Sequence, residues 1–97
     1  MEYWRGIFKV QEECGELVQA LGKAGPFPVG NHPDGAGAMA PRLQDEIADV
    51  YAALDYFVTE NRSQLDFDAI NKRRTKKLDQ FRAWGLDGIM KDGGEPS

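Results

Sequence analysis

The chain has 97 residues and a mass of 10.8 kDa, which is the size of a single domain. Hydrophobic residues make up 41% and charged residues 29%, a balance typical of a globular and not of a disordered protein. The net charge of −4 argues against a general nucleic-acid-binding protein, and no apolar run approaches the roughly 18–20 residues of a membrane span. The single cysteine, Cys14, excludes an internal disulfide and a cysteine-based zinc site, and we expect a cytoplasmic protein.

The charge is unevenly distributed along the chain. Residues 1–60 contain ten acidic and four basic residues, whereas residues 61–97 contain six acidic and eight basic ones. Most of these bases lie between residues 72 and 82. An acidic half and a basic segment in one small protein suggest a bound species with both a metal and an anionic part.

The first predicted element is a helix over residues 3–23. Apolar side chains recur there at the spacing of one helical face: Ile7, Val10, Cys14, Leu17, Val18 and Leu21. Gly15 lies in the most acidic turn, and a glycine inside a helix usually marks the close approach of another backbone. Residues 25–40 contain seven Gly or Pro in sixteen positions and predict a long loop.

The second predicted helix covers residues 41–61. It begins with Pro41, a residue type suited to the first position of a helix. Its apolar side chains form a wide stripe: Leu43, Ile47, Val50, Tyr51, Leu54, Phe57 and Val58. We therefore expect this helix to bury one side against the first.

The third predicted helix covers residues 65–83. Ser63 and Asp66 have the spacing of a capping box at its start, and Gly85 follows its end. Residues 87–97 predict a flexible tail.

Together these elements predict an all-α protein with one domain over residues 1–86. Each helix has a broad apolar face, but three helices joined by one long loop do not obviously close a four-helix core. We therefore expect a helical bundle that is completed by dimerisation, as a homodimer or a homotetramer.

Acidic residues on the first two helices are the main candidates for chemistry. Glu13 and Glu16 are three residues apart on one helix, and Glu46 and Asp49 are three apart on the next, so each pair lies on one side of its helix. Both pairs border the apolar stripes, and packing of these stripes brings four carboxylates to one seam. Such carboxylates repel one another unless a cation neutralises them, and hard oxygen ligands favour Mg²⁺ or Mn²⁺. The alternative is a solvated acidic face.

Two blocks within these helices resemble a known family. Residues 12–17, Glu-Glu-Cys-Gly-Glu-Leu, are similar to its EExGEL block, and residues 46–50, Glu-Ile-Ala-Asp-Val, are similar to its ExAD block. Together they resemble the MazG-like branch of the all-α nucleoside triphosphate pyrophosphohydrolases. The related dimeric dUTPases and phosphoribosyl-ATP pyrophosphohydrolases share this scheme. The resemblance covers residues 7–60 well and extends more loosely to Trp84.

The resemblance implies a helical bundle assembled by dimerisation, often to a tetramer. It also implies Mg²⁺-dependent hydrolysis of an NTP or dNTP at the α–β bond, which releases the monophosphate and pyrophosphate. The metal ligands that it implies are Glu13, Glu16, Glu46 and Asp49, with Mn²⁺ as a possible substitute for Mg²⁺. It implies that Glu12 orients or activates the attacking water.

Basic and aromatic residues are candidates for binding the substrate itself. Arg74 interrupts the apolar stripe of the third helix, and Lys77 lies one turn further on nearly the same face, so both could contact the β and γ phosphates. The alternative for this pair is a solvated basic face. Trp4 and Phe8 lie one or two turns before the acids and could form a slot for the base, the alternative being a role in the core.

Two classes of function remain open at this point. The first is a nucleotide pyrophosphohydrolase that removes aberrant or excess nucleotides, for which phosphoribosyl-ATP or a nucleotide-sugar analogue is an open alternative substrate. The second is a non-enzymatic helical interaction module with solvated acidic and basic faces. For the first class we expect a nucleotide and a second copy of the chain as partners, and neither a nucleic acid polymer nor a membrane.

Overall fold

The computed structural model describes residues 3–25 and 39–85, which contain three α-helices and no strand. The helices are α1 (Ile7–Ala24), α2 (Met39–Glu60) and α3 (Phe67–Trp84). The prediction of an all-α protein is therefore confirmed. The predicted tail and residues 26–38 of the predicted loop lie outside the described residues.

The chain divides into two compact units, residues 1–62 with α1 and α2 and residues 63–97 with α3. In the described part of each unit, no helix is both long enough and apolar enough to cross a membrane.

Helix α1 begins at Ile7, four residues later than predicted, and ends at Ala24. The residue before it, Gly6, has a φ of 82°, in the left-handed region that glycine adopts without a steric penalty. This conformation cannot continue a right-handed helix backwards, so residues 3–6 approach α1 as a separate short segment. At the other end, the Gly25 N–H donates to the carbonyl of Leu21 at 2.9 Å.

Helix α2 begins at Met39, two residues before the predicted start. Pro41 is thus its third residue and not its first. The position is compatible with proline because the N–H groups of the first helical turn have no partner within the helix.

Helices α1 and α2 pack as an antiparallel hairpin, with the start of α1 beside the end of α2. Its buried apolar residues are small or of medium size, namely Ala20, Val50 and Ala53. Within the described residues no large side chain is fully buried, and members of the predicted stripes such as Val18 and Tyr51 are exposed. The hairpin therefore leaves much of its apolar surface outside its own core.

Helix α3 has a well-defined cap at each end. At its start, the Asp66 carboxylate accepts hydrogen bonds from the N–H groups of Asp68 and Ala69, at 2.9 and 3.2 Å. Asp66 and not Ser63 is the N-cap, so α3 begins at Phe67, two residues later than predicted. At its end, Gly85 adopts a left-handed conformation, with a φ of 66°.

Candidate metal centre

The candidate centre lies along the seam between α1 and α2. Glu13 and Glu16 are on α1, and Glu46 and Asp49 are on α2. Glu13 and Glu46 are half-buried, whereas Glu16 and Asp49 are exposed. Because residues three apart project from the same side of a helix, the two members of each pair lie on one side of their helix.

Glu13 has the most unusual environment of the four. One of its carboxylate oxygens, Oε1, is buried and has no hydrogen-bond partner among the described residues. Burial raises the pKa of this carboxyl, and the negative charges of Glu16 and Asp49 raise it further, while Lys9 opposes the shift. The structure thus brings acids of both helices within range of each other, with a buried oxygen that lacks a donor.

The four carboxylates do not stand in a ready-made coordination sphere. In residues 3–25 and 39–85, no three Asp, Glu, His or Cys side chains are close enough to hold one metal ion. Joint coordination by both helices would therefore require changes of side-chain rotamer. The chemistry of the donors nevertheless fits Mg²⁺ or Mn²⁺, since the donors are carboxylate oxygens and one of them is buried without a partner.

Glu12 points to a different neighbour. Its Oε1 accepts a hydrogen bond from Lys9 Nζ at 2.7 Å, on the exposed side of α1. This hydrogen bond and the charge of Glu12 raise the pKa of Lys9. Lys9 was not among the candidates predicted from the sequence, although it precedes Glu12 by three residues and Glu13 by four, which are the spacings of helical ion pairs.

The two aromatic candidates differ in their surroundings. Trp4 lies in the segment before α1, not on the helix as predicted, and it stacks on Phe57 of α2 with a distance of 5.8 Å between ring centroids. Phe8 lies on α1 and is 81% exposed, so the alternative of a core role is wrong for this side chain within the chain itself. Binding of a base by either residue stays a prediction.

The two basic candidates lie on α3, in the second unit. Arg74 is exposed, and its Nη2 donates to Oδ1 of Asn71 at 3.0 Å. Lys77 is half-buried. Their predicted contact with phosphates stays a prediction.

Gly15 does not have the close backbone neighbour predicted from the sequence. A Cβ built on this residue meets no atom of the described chain within 4 Å. The close approach that glycine permits occurs instead at Gly6, where a Cβ would lie 3.0 Å from the ring of Tyr56. The sequence did not distinguish these two glycines.

Comparison with known proteins identifies no relative of this chain. No family model, no curated protein and no solved structure matches this chain. The resemblance to the MazG-like family therefore rests on the two sequence blocks alone.

Proposed function

We propose that this chain is a Mg²⁺-dependent nucleoside triphosphate pyrophosphohydrolase of MazG-like type. The observation that carries the proposal is the buried, unpartnered Oε1 of Glu13, whose carboxyl interacts electrostatically with Glu16 on its own helix and Asp49 on the next. Negative charges that lie close together and are partly buried repel one another, and a bound divalent cation neutralises this repulsion. The EExGEL-like and ExAD-like blocks supply these same residues.

Glu13, Glu16, Glu46 and Asp49 would hold the metal, with Mn²⁺ as a possible substitute for Mg²⁺. When bound, the ion supplies charge neutralisation for the phosphates and for the departing pyrophosphate. In the reaction, a water oxygen attacks the α-phosphorus and the bond from this phosphorus to the α–β bridging oxygen breaks. Glu12 directly precedes Glu13, and on the resemblance of residues 12–17 to the EExGEL block we assign to it the orientation of this water.

Substrate contacts outside the metal centre follow from the same proposal. Arg74 and Lys77 would contact the β and γ phosphates as positively charged donors. Phe8, with its exposed ring, and Trp4 would contact the base. The protein would act in the cytoplasm on a free nucleotide, and on neither a nucleic acid polymer nor a membrane.

A second copy of the chain is part of the proposal. The hairpin buries no large side chain completely, while apolar residues of both helices, such as Val18 and Tyr51, are exposed. Covering them with the same surface of another copy removes apolar area from water, which stabilises the assembly by about 25 cal/mol per Å².

Sedimentation velocity tests this assembly and should give a dimer or a tetramer. Tyr51→Glu should shift it toward the monomer, whereas Gln44→Glu, which adds the same charge at an exposed polar position of α2, should not.

The test of the activity is a panel of NTPs and dNTPs, extended to phosphoribosyl-ATP, assayed for pyrophosphate with Mg²⁺. Nucleotide sugars are assayed for the nucleoside monophosphate instead, because their hydrolysis releases a sugar phosphate and not pyrophosphate. We expect pyrophosphate from at least one NTP or dNTP and its loss in Asp49→Asn. Asp55→Asn is the matched control, because it makes the same change at an exposed position six residues further along α2. Folded protein that releases no pyrophosphate from any of these compounds would contradict the proposal.

The second candidate is a non-enzymatic helical interaction module. The observation that favours it is the exposure of the apolar side chains of α3, among them Phe67, Leu78 and Phe81, on a helix rich in lysine and arginine. In that case the carboxylates are surface charge, and Mg²⁺ should neither bind tightly nor raise the melting temperature.

A further inference from the structure

Asn61 directly follows α2 and is the one buried polar residue in the described parts of the chain. Its Oδ1 accepts from the N–H of Arg5 at 3.0 Å, and its Nδ2 donates to the carbonyl of Arg5 at 2.9 Å. The second hydrogen of Nδ2 is donated to the carbonyl of Phe57 at 2.6 Å. The side-chain amide thus binds both backbone groups of one residue that lies 56 positions earlier.

Two aromatic contacts lie beside this hydrogen-bonded pair. The ring of Trp4 stacks on Phe57, and the ring of Tyr56 lies against Gly6. We call this arrangement the N-terminal clamp, formed by residues 4–6 against Tyr56, Phe57 and Asn61. It attaches the segment before α1 to the end of α2, at the opposite end of the hairpin from Ala24 and Met39.

The clamp relates positions along α1 to positions along α2. Glu13 follows Gly6 by seven residues, and Asp49 precedes Tyr56 by seven residues. Seven residues are nearly two helical turns, a rise of about 10 Å, and they return to almost the same face. Because α1 and α2 are antiparallel, the contact between Gly6 and Tyr56 places Glu13 level with Asp49.

We propose that Asn61 is a positioning residue for the metal centre. By binding Arg5 it fixes the start of α1 against the end of α2, and it thereby sets the register in which Glu13 and Glu16 face Asp49. A slip of α1 by one residue would rotate Glu13 by about 100° away from α2. The metal-binding part of this inference rests on the proposed function, whereas the register itself does not.

The first test compares Mg²⁺ affinity in two variants by calorimetric titration. Asn61→Ala removes the hydrogen bonds to Arg5, and we expect its dissociation constant for Mg²⁺ to rise at least tenfold. Ala20→Gly is the control, because it weakens the buried seam away from the clamp and should leave this constant within twofold. Unchanged affinity in Asn61→Ala, or an equal loss in both variants, would overturn the inference.

Asn61→Asp serves as a second variant if Asn61→Ala does not fold. The aspartate keeps the acceptor for the Arg5 N–H but places a negatively charged oxygen against the carbonyls of Arg5 and Phe57, so a loss of Mg²⁺ affinity is expected in the same direction. Affinity equal to that of the wild type would count against the inference.

The second test measures the register without any metal. Cysteines replace Glu13 and Asp49 in a Cys14→Ser background, and disulfide formation under diamide is followed with and without Asn61→Ala. We expect the disulfide to form several-fold faster when Asn61 is present. Equal rates, or no disulfide in either protein, would overturn the inference. An Asn61-dependent rate in a protein whose wild type binds no Mg²⁺ would support the register and reject the metal centre.

Discussion

The ring of Tyr56 lies so close to Gly6 that a Cβ on this residue would be 3.0 Å from Cδ2 of the ring. Gly6 also has a φ of 82°, which residues with a side chain rarely adopt. Both the space and the backbone conformation therefore require glycine at this position. Gly6 is thus the residue at which the N-terminal segment ends and α1 begins, and its contact with Tyr56 holds this point against α2.

Gly6→Ala should lower the free energy of unfolding by about 1–3 kcal/mol, because the new side chain must either strain the backbone or displace Tyr56. Urea unfolding monitored by circular dichroism measures this change. Stability equal to that of the wild type would mean that the start of α1 does not depend on this contact.

Gly15→Ala should have the opposite effect. Gly15 is within α1 and its missing Cβ faces open space among the described residues, so alanine should raise the free energy of unfolding by about 0.5–1 kcal/mol. The same unfolding experiment compares both variants directly. A loss of stability in Gly15→Ala that depends on protein concentration would show that a second copy approaches α1 there.

The three helices were predictable from the sequence because their apolar residues recur at helical spacing, but their starting points were not. The start of α1 depends on the left-handed Gly6, whose conformation is linked to Tyr56, fifty residues later. The start of α3 depends on which of two capping residues is used, and only the hydrogen bonds of Asp66 distinguish it from Ser63. Both are properties of contacts and not of periodicity.

The acidic pairs of the candidate centre could also be predicted, since spacing alone places each pair on one side of a helix. The burial of Glu13 could not, because it depends on how closely the two helices approach at that level. The contact between Asn61 and Arg5 could not be predicted either, since the two residues are 56 positions apart and no local pattern links them.

The raised pKa of Glu13 predicts that the contribution of this residue to the stability of the metal-free protein falls as the pH rises. Folding favours the protonated form of this carboxyl, so its favourable contribution to the free energy of unfolding is present at low pH. It is lost as the pH rises through the ordinary glutamate pKa, about 4.3, toward the raised value. Glu13→Gln should remove this dependence and stabilise the metal-free protein more at pH 7 than at pH 4.

Urea unfolding in EDTA at the two pH values measures the effect of Glu13→Gln. Asp55→Asn is the control, since Asp55 is exposed on α2 and its replacement should change stability by less than about 0.5 kcal/mol. If Glu13→Gln gave the same gain or loss at both pH values, Glu13 would not be held in an unfavourable charged state.

Asp66→Ala should destabilise α3 by about 1 kcal/mol, because it removes the acceptor for the N–H groups of Asp68 and Ala69. Ser63→Ala tests the alternative cap and should have little effect. Amide hydrogen exchange in the first turn of α3 reports the change locally. The reverse order of the two effects would mean that Ser63 is the cap in solution.

A Mg²⁺ titration followed by thermal unfolding shows whether acidic residues of α1 and α2 together bind a divalent cation. The melting temperature of the wild type should rise with Mg²⁺, with a gain in the free energy of unfolding of about 2.7 kcal/mol at a concentration 100 times the dissociation constant. Asp55→Asn should behave like the wild type, and Asp49→Asn should lose most of the rise. A melting temperature that Mg²⁺ leaves unchanged, or that rises equally in all three proteins, would mean that these acidic residues do not bind the ion together.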